Sequence, residues 1–305
     1  MENLVLEIKQ LAKRYGKQQA LADFDLTVEA GDIIGVAGRN GAGKTTLFRI
    51  ITGLTPKYQG SVSIFGSTTD KELSDKRQLV GTIIEDPAFI PEMTAKQNLE
   101  FYRLERGITD KNRVDEMLAL VGLADTGRKK VKDFSLGMKQ RLAIALALIH
   151  RPKLLIFDEP TNGLDPEGII QVRELLLQLA KDERLTILVS SHILSELEHL
   201  ATRFVVIEKG HKIEEFTKEE LQDKIQSYYD IKVDEAEKAV ALIKETFKTD
   251  QVAQDEDGGI QVFNLAISAA DIAELLVKND FRLTQLTRKT HLLETVFLDL
   301  IKGGQ

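Results

Sequence analysis

Nine residues near the start of the chain, Gly38-Arg39-Asn40-Gly41-Ala42-Gly43-Lys44-Thr45-Thr46, have the composition of a phosphate cradle. They fit the spacing G-x-x-x-x-G-K-[ST]. The three glycines leave the backbone free to turn successive N–H groups inward. With the positive end of a helix opening near Lys44, those donors make a nest for an anionic chain. Lys44 supplies charge for β- and γ-phosphates, and the Thr45 hydroxyl supplies a ligand for Mg²⁺. Far downstream, the apolar run Leu154-Leu155-Ile156-Phe157 ends in Asp158-Glu159. Asp158 at a strand tip suits Mg²⁺, directly or through water. Glu159 suits a general base for an attacking water, a contribution worth roughly 10²–10⁴-fold. The glycine-rich loop alone does not choose among nucleotide machines.

These residues need rigid elements to hold them. Asp32 to Ala37 is a short apolar run bounded by glycines and reads as a buried strand leading into the loop. Thr45 to Gly53 reads as a helix stopped by glycine. Leu4 to Leu11 and the alternating Phe24, Leu26 and Val28 predict flanking strands, and Gly60 to Gly66 another. From about 88 to 150 the pattern turns helical, over Asn98 to Arg106, Lys111 to Val121 and Met138 to His150. Strands resume at Lys153 to Phe157, Thr186 to Val189 and Phe204 to Ile207. Asp165-Pro166 opens a helix, with Asp as N-cap and Pro in the first turn. Lys209-Gly210 reads as a hairpin turn, and Thr217 with Glu220 as a capping box. Beyond about 225 the order strand (Tyr229 to Val233), helix (Ala236 to Phe247), two strands around Asp257-Gly258-Gly259, helix (Ala269 to Lys278), strand (Phe281 to Leu286) suits a small split-βαβ sandwich. A last helix is expected over Leu292 to Ile301.

The 305 residues favour two domains, here 1–222 and 223–305. A net charge of −7 does not favour non-specific affinity for nucleic acid or an anionic membrane. The absence of cysteine rules out a disulfide framework and a thiolate site. The opening residues lack the apolar core of a signal peptide. The longest apolar run, Leu142 to Ile149, falls far short of the ~20 residues of a membrane helix. A function at a membrane would therefore need another chain to span it.

Just upstream of the carboxylate pair lies Phe134-Ser135-Leu136-Gly137-Met138-Lys139-Gln140-Arg141. Here the chain resembles the ATP-binding cassette (ABC) family, whose signature usually reads L-S-G-G-Q. Ser135 and Gly137 match; Leu136 and Met138 depart. The resemblance implies a RecA-like α/β core with an antiparallel β subdomain and an inserted α-helical subdomain at about 88–150. A small C-terminal α+β domain, ferredoxin-like in order, would follow. It implies that Tyr15 stacks on adenine, that Gly163-Leu164-Asp165 bridges a dimer interface, and that His192, after Thr186 to Ser191, contacts the γ-phosphate. Ser135 and Gly137 would bind the γ-phosphate held by the other copy's loop. The family's switch glutamine aligns with Glu85, a carboxylate that can still ligate Mg²⁺ but adds negative charge there.

The resemblance thus implies an ATPase using ATP and Mg²⁺, paired with a second nucleotide-binding subunit and driving a separate integral-membrane permease. It would sit in the cytoplasm, peripheral to the membrane through that permease, with no nucleic acid partner. The Glu85 and S-L-G-M departures look like the bacitracin- and lantibiotic-type branch of drug exporters, which implies a role in peptide-antibiotic resistance or immunity. The alternative is a soluble ABC ATPase acting on ribosomes or DNA.

Overall fold

A computed structural model describes residues 3–84, 88–182, 184–224, 227–255, 258–264 and 266–290. Glu85, Asp257 and the helix expected over 292–301 lie outside the described residues. Within them, 3–218 form one compact unit and 219–290 belong to a second.

The first unit opens with a long hairpin, β1 (Leu4–Tyr15) and β2 (Gln18–Glu29). Both strands run further than the apolar alternation indicates, because irregularities in the pairing near Leu11 and Lys13 carry the ladder on to the turn. Strand β3 (Ile33–Ala37), buried throughout, delivers the chain to the phosphate loop, and α1 (Lys44–Ile51) leaves it. Strand β4 (Gln59–Ile64) returns to β1, completing an antiparallel sheet ordered β2-β1-β4. Helix α2 (Asp70–Arg77) and strand β5 (Val80–Ile83) follow, neither of them marked by apolar periodicity.

The helical stretch comprises α3 (Ala95–Glu105), α4 (Arg113–Leu120) and α5 (Leu136–Leu148). Two of these begin earlier than the apolar spacing alone predicts, because side chains cap them. Thr94 and Gln97 form a reciprocal capping box at α3, and the Ser135 hydroxyl accepts from the Met138 N–H at α5. Helix α5 is buried from Leu142 to Leu148, apolar on every side as a central helix must be.

The chain then alternates through β6 (Leu154–Asp158), α6 (Pro166–Asp182), β7 (Thr186–Ser191), α7 (Leu194–Glu198), β8 (Arg203–Glu208), β9 (His211–Thr217) and α8 (Lys218–Lys224). The main sheet runs β5-β6-β7-β3-β8-β9, parallel except for the hairpin strand β9. Its register sets Ala37 beside Ser191 and Ser190 beside Asp158. Three strand ends that carry candidate chemistry therefore lie side by side at one edge, where ligands of open α/β sheets bind. One apolar cluster joins both sheets of this unit, from Leu6, Phe24 and Ile64 to Phe48, Ile156 and Leu188.

The second unit contains β10 (Ser227–Val233), α9 (Ala236–Phe247), β11 (Val252–Gln254), β12 (Ile260–Val262), α10 (Ala269–Lys278) and β13 (Leu283–Thr290). Its sheet is antiparallel and ordered β11-β12-β10-β13, the split-βαβ, ferredoxin-like arrangement. Alternate residues Tyr229 and Ile231 face a core with Ile243, Ile260, Ile272 and Leu276.

Gly81 in β5 gives this fold a sharp test. A Cβ there would strike the Ala147 carbonyl of α5 and lie 2.8 Å from Leu155 Cδ2. Gly81→Ala should cost about 1–3 kcal/mol by overpacking, read as a lower denaturant midpoint at unchanged slope.

Candidate functional site

The phosphate loop is shaped by close backbone approaches. Gly43, the N-cap of α1, has φ 118°, and a Cβ there would lie 2.6 Å from the Ala20 carbonyl oxygen. At Gly38 a Cβ would lie 2.6 Å from the Ile207 carbonyl oxygen. Side chains are excluded at both positions. Arg39, Asn40 and Gly41 form the exposed crest, while Ala42 is buried and its carbonyl accepts from the Gly210 N–H at 2.8 Å. Thr46 is half-buried in the first turn of α1. Lys44 is only 4% exposed. Its ammonium donates to the Gly38 carbonyl (2.7 Å) and the Arg39 carbonyl (3.2 Å), and pairs with Glu159 Oε1 at 3.2 Å.

The carboxylate pair meets this loop directly. Thr45 Oγ1 donates to Asp158 Oδ2 at 2.5 Å, and Ser190 Oγ donates to Asp158 Oδ1 at 2.5 Å. The same Ser190 oxygen accepts the Glu159 N–H at 2.9 Å. Glu159 itself holds a left-handed backbone, φ 49°, which is strained for a residue with a side chain. Its Oε2 lies 2.8 Å from His192 Nδ1. With Glu159 ionised, Nδ1 carries the proton of that contact. Nε2 is then an acceptor in the neutral ring and a donor in the charged one. Loop, carboxylates and histidine thus form one hydrogen-bonded cluster. Ser190 completes it and was not legible in advance: a serine inside a buried strand is revealed only when the register sets it beside Asp158.

Ser135 and Gly137 stand elsewhere. They line a separate cleft of about 330 Å³ with Arg141, Gly163, Leu164 and Asp165. A Cβ on Gly163 would lie 3.2 Å from Leu136 Cδ2, so the signature turn and the 163–165 loop are in contact. Asp165 Oδ1 accepts the Gly168 N–H at 3.0 Å, capping α6. Tyr15 is 46% exposed, its hydroxyl 3.4 Å from Thr55 Oγ1 and its ring 4.9 Å beneath the Lys13 ammonium. No hydrogen bond or ring contact among the described residues joins Tyr15 to the phosphate loop.

A larger groove, about 800 Å³, opens between the helical stretch and the main sheet. Its walls are apolar at Leu54, Val80, Ile84 and Leu146, and basic at Arg77 and Arg106. His150 also lines it. Its Nε2 reaches the Val80 carbonyl at 3.2 Å and its Nδ1 the Arg106 guanidinium at 2.8 Å. Burial first, then the Arg106 charge, holds the imidazole below its ordinary 6.5, so the ring is neutral with its proton on Nε2.

Known proteins share this architecture. A family model described as ABC transporter matches residues 21–162. The bacitracin transport ATP-binding protein BcrA of Bacillus licheniformis is 40% identical over 300 residues, 98% of each chain. The chain belongs to the ABC transporter ATP-binding proteins. The lantibiotic transport ATP-binding protein SrtF of Streptococcus pyogenes is 43% identical over 206 residues, 68% of this chain and 88% of that one. A dimeric ATP-binding cassette in a post-hydrolysis state with ADP and Pi superimposes with a TM-score of 0.62 at 26% identity, over 70% of this chain and 98% of that one. The cassette binds ATP and hydrolyses it.

The depressed His150 pKa has a definite sign. Its contribution to stability is complete above about 6.5 and is lost as pH falls through that value toward the folded pKa. His150→Gln, which cannot charge, should lose less stability than the parent between pH 7.5 and pH 5.5 (about one unit either side of the ordinary value) in denaturant unfolding. Equal losses would contradict the assignment.

Proposed function

We propose that this cassette is the ATP-hydrolysing subunit of an exporter, working as a head-to-tail pair beneath a separate membrane permease. The observation that carries this reading is the division of the site. Lys44, Thr45, Asp158, Glu159 and His192 are linked by hydrogen bonds and an ion pair. Ser135, Gly137 and Asp165 line a cleft of their own. A second copy, turned end for end, would lay its Ser135 hydroxyl and α5 N-terminus over the γ-phosphate held by Lys44.

The phosphates of ATP would lie in the nest from Gly38 to Thr46, with Tyr15 offered to the adenine. Glu159 would take a proton from water, and His192 would hold that water and the γ-phosphate in line through Nε2. Thr45 and Asp158 fit a hard divalent cation, being a hydroxyl and a carboxylate whose oxygens lie 2.5 Å apart. Mg²⁺ there would supply charge neutralisation on the β- and γ-phosphates, with Glu85 a further ligand from the sequence pattern. Cleavage would remove the contact shared between copies, so the pair would loosen. The two anion sites make ATP an adhesive between them.

No described helix is long and apolar enough to cross a membrane, and the reading assigns the crossing to a separate permease. The groove lined by Leu54, Ile84, Arg106 and His150 is where that permease would dock. The names of the relatives, bacitracin transport and lantibiotic transport, support peptide antibiotics as cargo and a role in resistance or immunity.

Specific ATPase activity should fall on dilution, because one copy cannot close a site. Constant activity across a dilution series of protein shown monomeric by light scattering would refute the pairing. Glu159→Gln should lower kcat by roughly 10²-fold or more while ATP binding persists and dimer accumulates on a sizing column. Ser135→Arg should bind ATP but turn over at background, and full turnover would remove the shared site.

A further inference from the structure

One acidic side chain of the first unit stands apart from the phosphate-binding machinery yet touches both loops that carry its chemistry. Glu196, in α7, accepts through a single oxygen, Oε2, from Thr161 Oγ1 at 2.7 Å and Ser191 Oγ at 3.0 Å. Thr161 lies two residues beyond Glu159, and Ser191 immediately precedes His192. Ser191 is 4% exposed, and its oxygen also accepts the Ile193 N–H at 3.0 Å, turning the chain just past His192. Residues 159, 161, 192 and 196 line one cleft of about 120 Å³.

We infer that Glu196 is a positioning residue, a clamp that holds the Glu159 loop and the His192 loop at one fixed separation. The inference rests on the reading of Glu159 and His192 as the hydrolytic pair. The need for a clamp follows from the geometry. The Glu159–His192 contact is one hydrogen bond between two side chains, and the other oxygen of Glu159 is held by Lys44 of the phosphate loop, not by the His192 loop. Ser190 holds the Glu159 backbone N–H and the Asp158 carboxylate, both at the strand tip. Beyond the tip, Glu159 turns through φ 49° into a loop, and nothing in the sheet ladder sets where that loop sits relative to residue 192. Glu196 supplies the missing tie. It receives one hydroxyl from the loop after Glu159 and one from the last residue of β7, beside His192, and both donate to a carboxylate oxygen, which makes the hydrogen bonds charge-assisted. Because Glu196 touches neither the phosphate loop nor Asp158 by any of these bonds, its loss should alter turnover and not nucleotide binding.

The test compares Glu196→Ala, Glu196→Gln and Thr161→Val by steady-state ATPase assay and by MANT-ATP fluorescence. A misplaced catalytic pair should lower kcat by about 10²-fold, with MANT-ATP affinity and the KM for ATP within about twofold of the parent (about 0.4 kcal/mol at 1.4 kcal/mol per tenfold). Glu196→Gln keeps an oxygen that accepts both hydroxyls, so it should recover at least about a tenth of parental turnover. Thr161→Val removes only the hydroxyl and carries the test if Glu196→Ala does not fold. The Thr161→Val/Glu196→Ala double variant should be no worse than the poorer single variant, since both break one tie. The clamp is overturned by parental kcat in Glu196→Ala or Thr161→Val, by affinity falling in step with kcat, by additive losses in the double variant, or by Gln no better than Ala. Glu159→Gln measured alongside separates the two levels. Parental turnover there removes the hydrolytic reading itself, and the clamp with it. An inactive Glu159→Gln beside a fully active Glu196→Ala removes the clamp alone.

Discussion

A buried hydroxyl lies at the centre of this molecule. Ser190 donates to the carboxylate of Asp158 and accepts from the backbone of Glu159, so one oxygen fixes two adjacent acidic residues. It can do so only because β7 runs between β3 and β6 with Asp158 beside Ser190 and Ala37 beside Ser191. A slip of one residue would move Ser190 to the other face of the sheet and leave the half-buried Asp158 carboxylate with Thr45 as its remaining hydroxyl donor. The phosphate loop, the carboxylates and the histidine are therefore positioned by strand register. The apolar runs of β3, β6 and β7, buried almost throughout, are what make that register stable.

Much of this was readable from the chain because chemistry and local geometry coincide at the phosphate loop. The glycines at 38 and 43 are demanded by neighbouring backbone, and Lys44-Thr45 have the types that the proposed phosphate and cation sites call for. The buried strands were readable for a related reason, since an apolar run between turn residues has few other uses. The elements that escaped have no such signature. Helix α2 buries only Leu73 and is charged on its other faces, and β5 is four residues long around a glycine. The extensions of β1 and β2 depend on bulged pairing, and the early starts of α3 and α5 depend on caps. Ser190 and Glu196 escaped most completely, because the bonds of Ser190 and one of the two bonds of Glu196 reach across 31–35 residues of sequence, and their own neighbours in the chain give no hint of it.

The division of the site gives the signature residues a second aspect. Ser135 is first a helix cap, satisfying the Met138 N–H, and so is required for α5 to begin where it does. The turn it opens rests against Gly163, in the loop that follows Glu159. Whatever shifts the signature turn is felt in that loop by direct contact. Leu136, half exposed where the family usually carries glycine, is the residue that makes the contact.

The left-handed backbone at Glu159 has a consequence for how such a chain can change. A glycine at 159 would adopt φ 49° without strain and release energy of order 1 kcal/mol. With Glu159 as the base proposed above, folding stability and hydrolysis pull in opposite directions at one position. The most comfortable residue for the backbone is the one that deletes the carboxylate, and the strain is retained only while the side chain is in use.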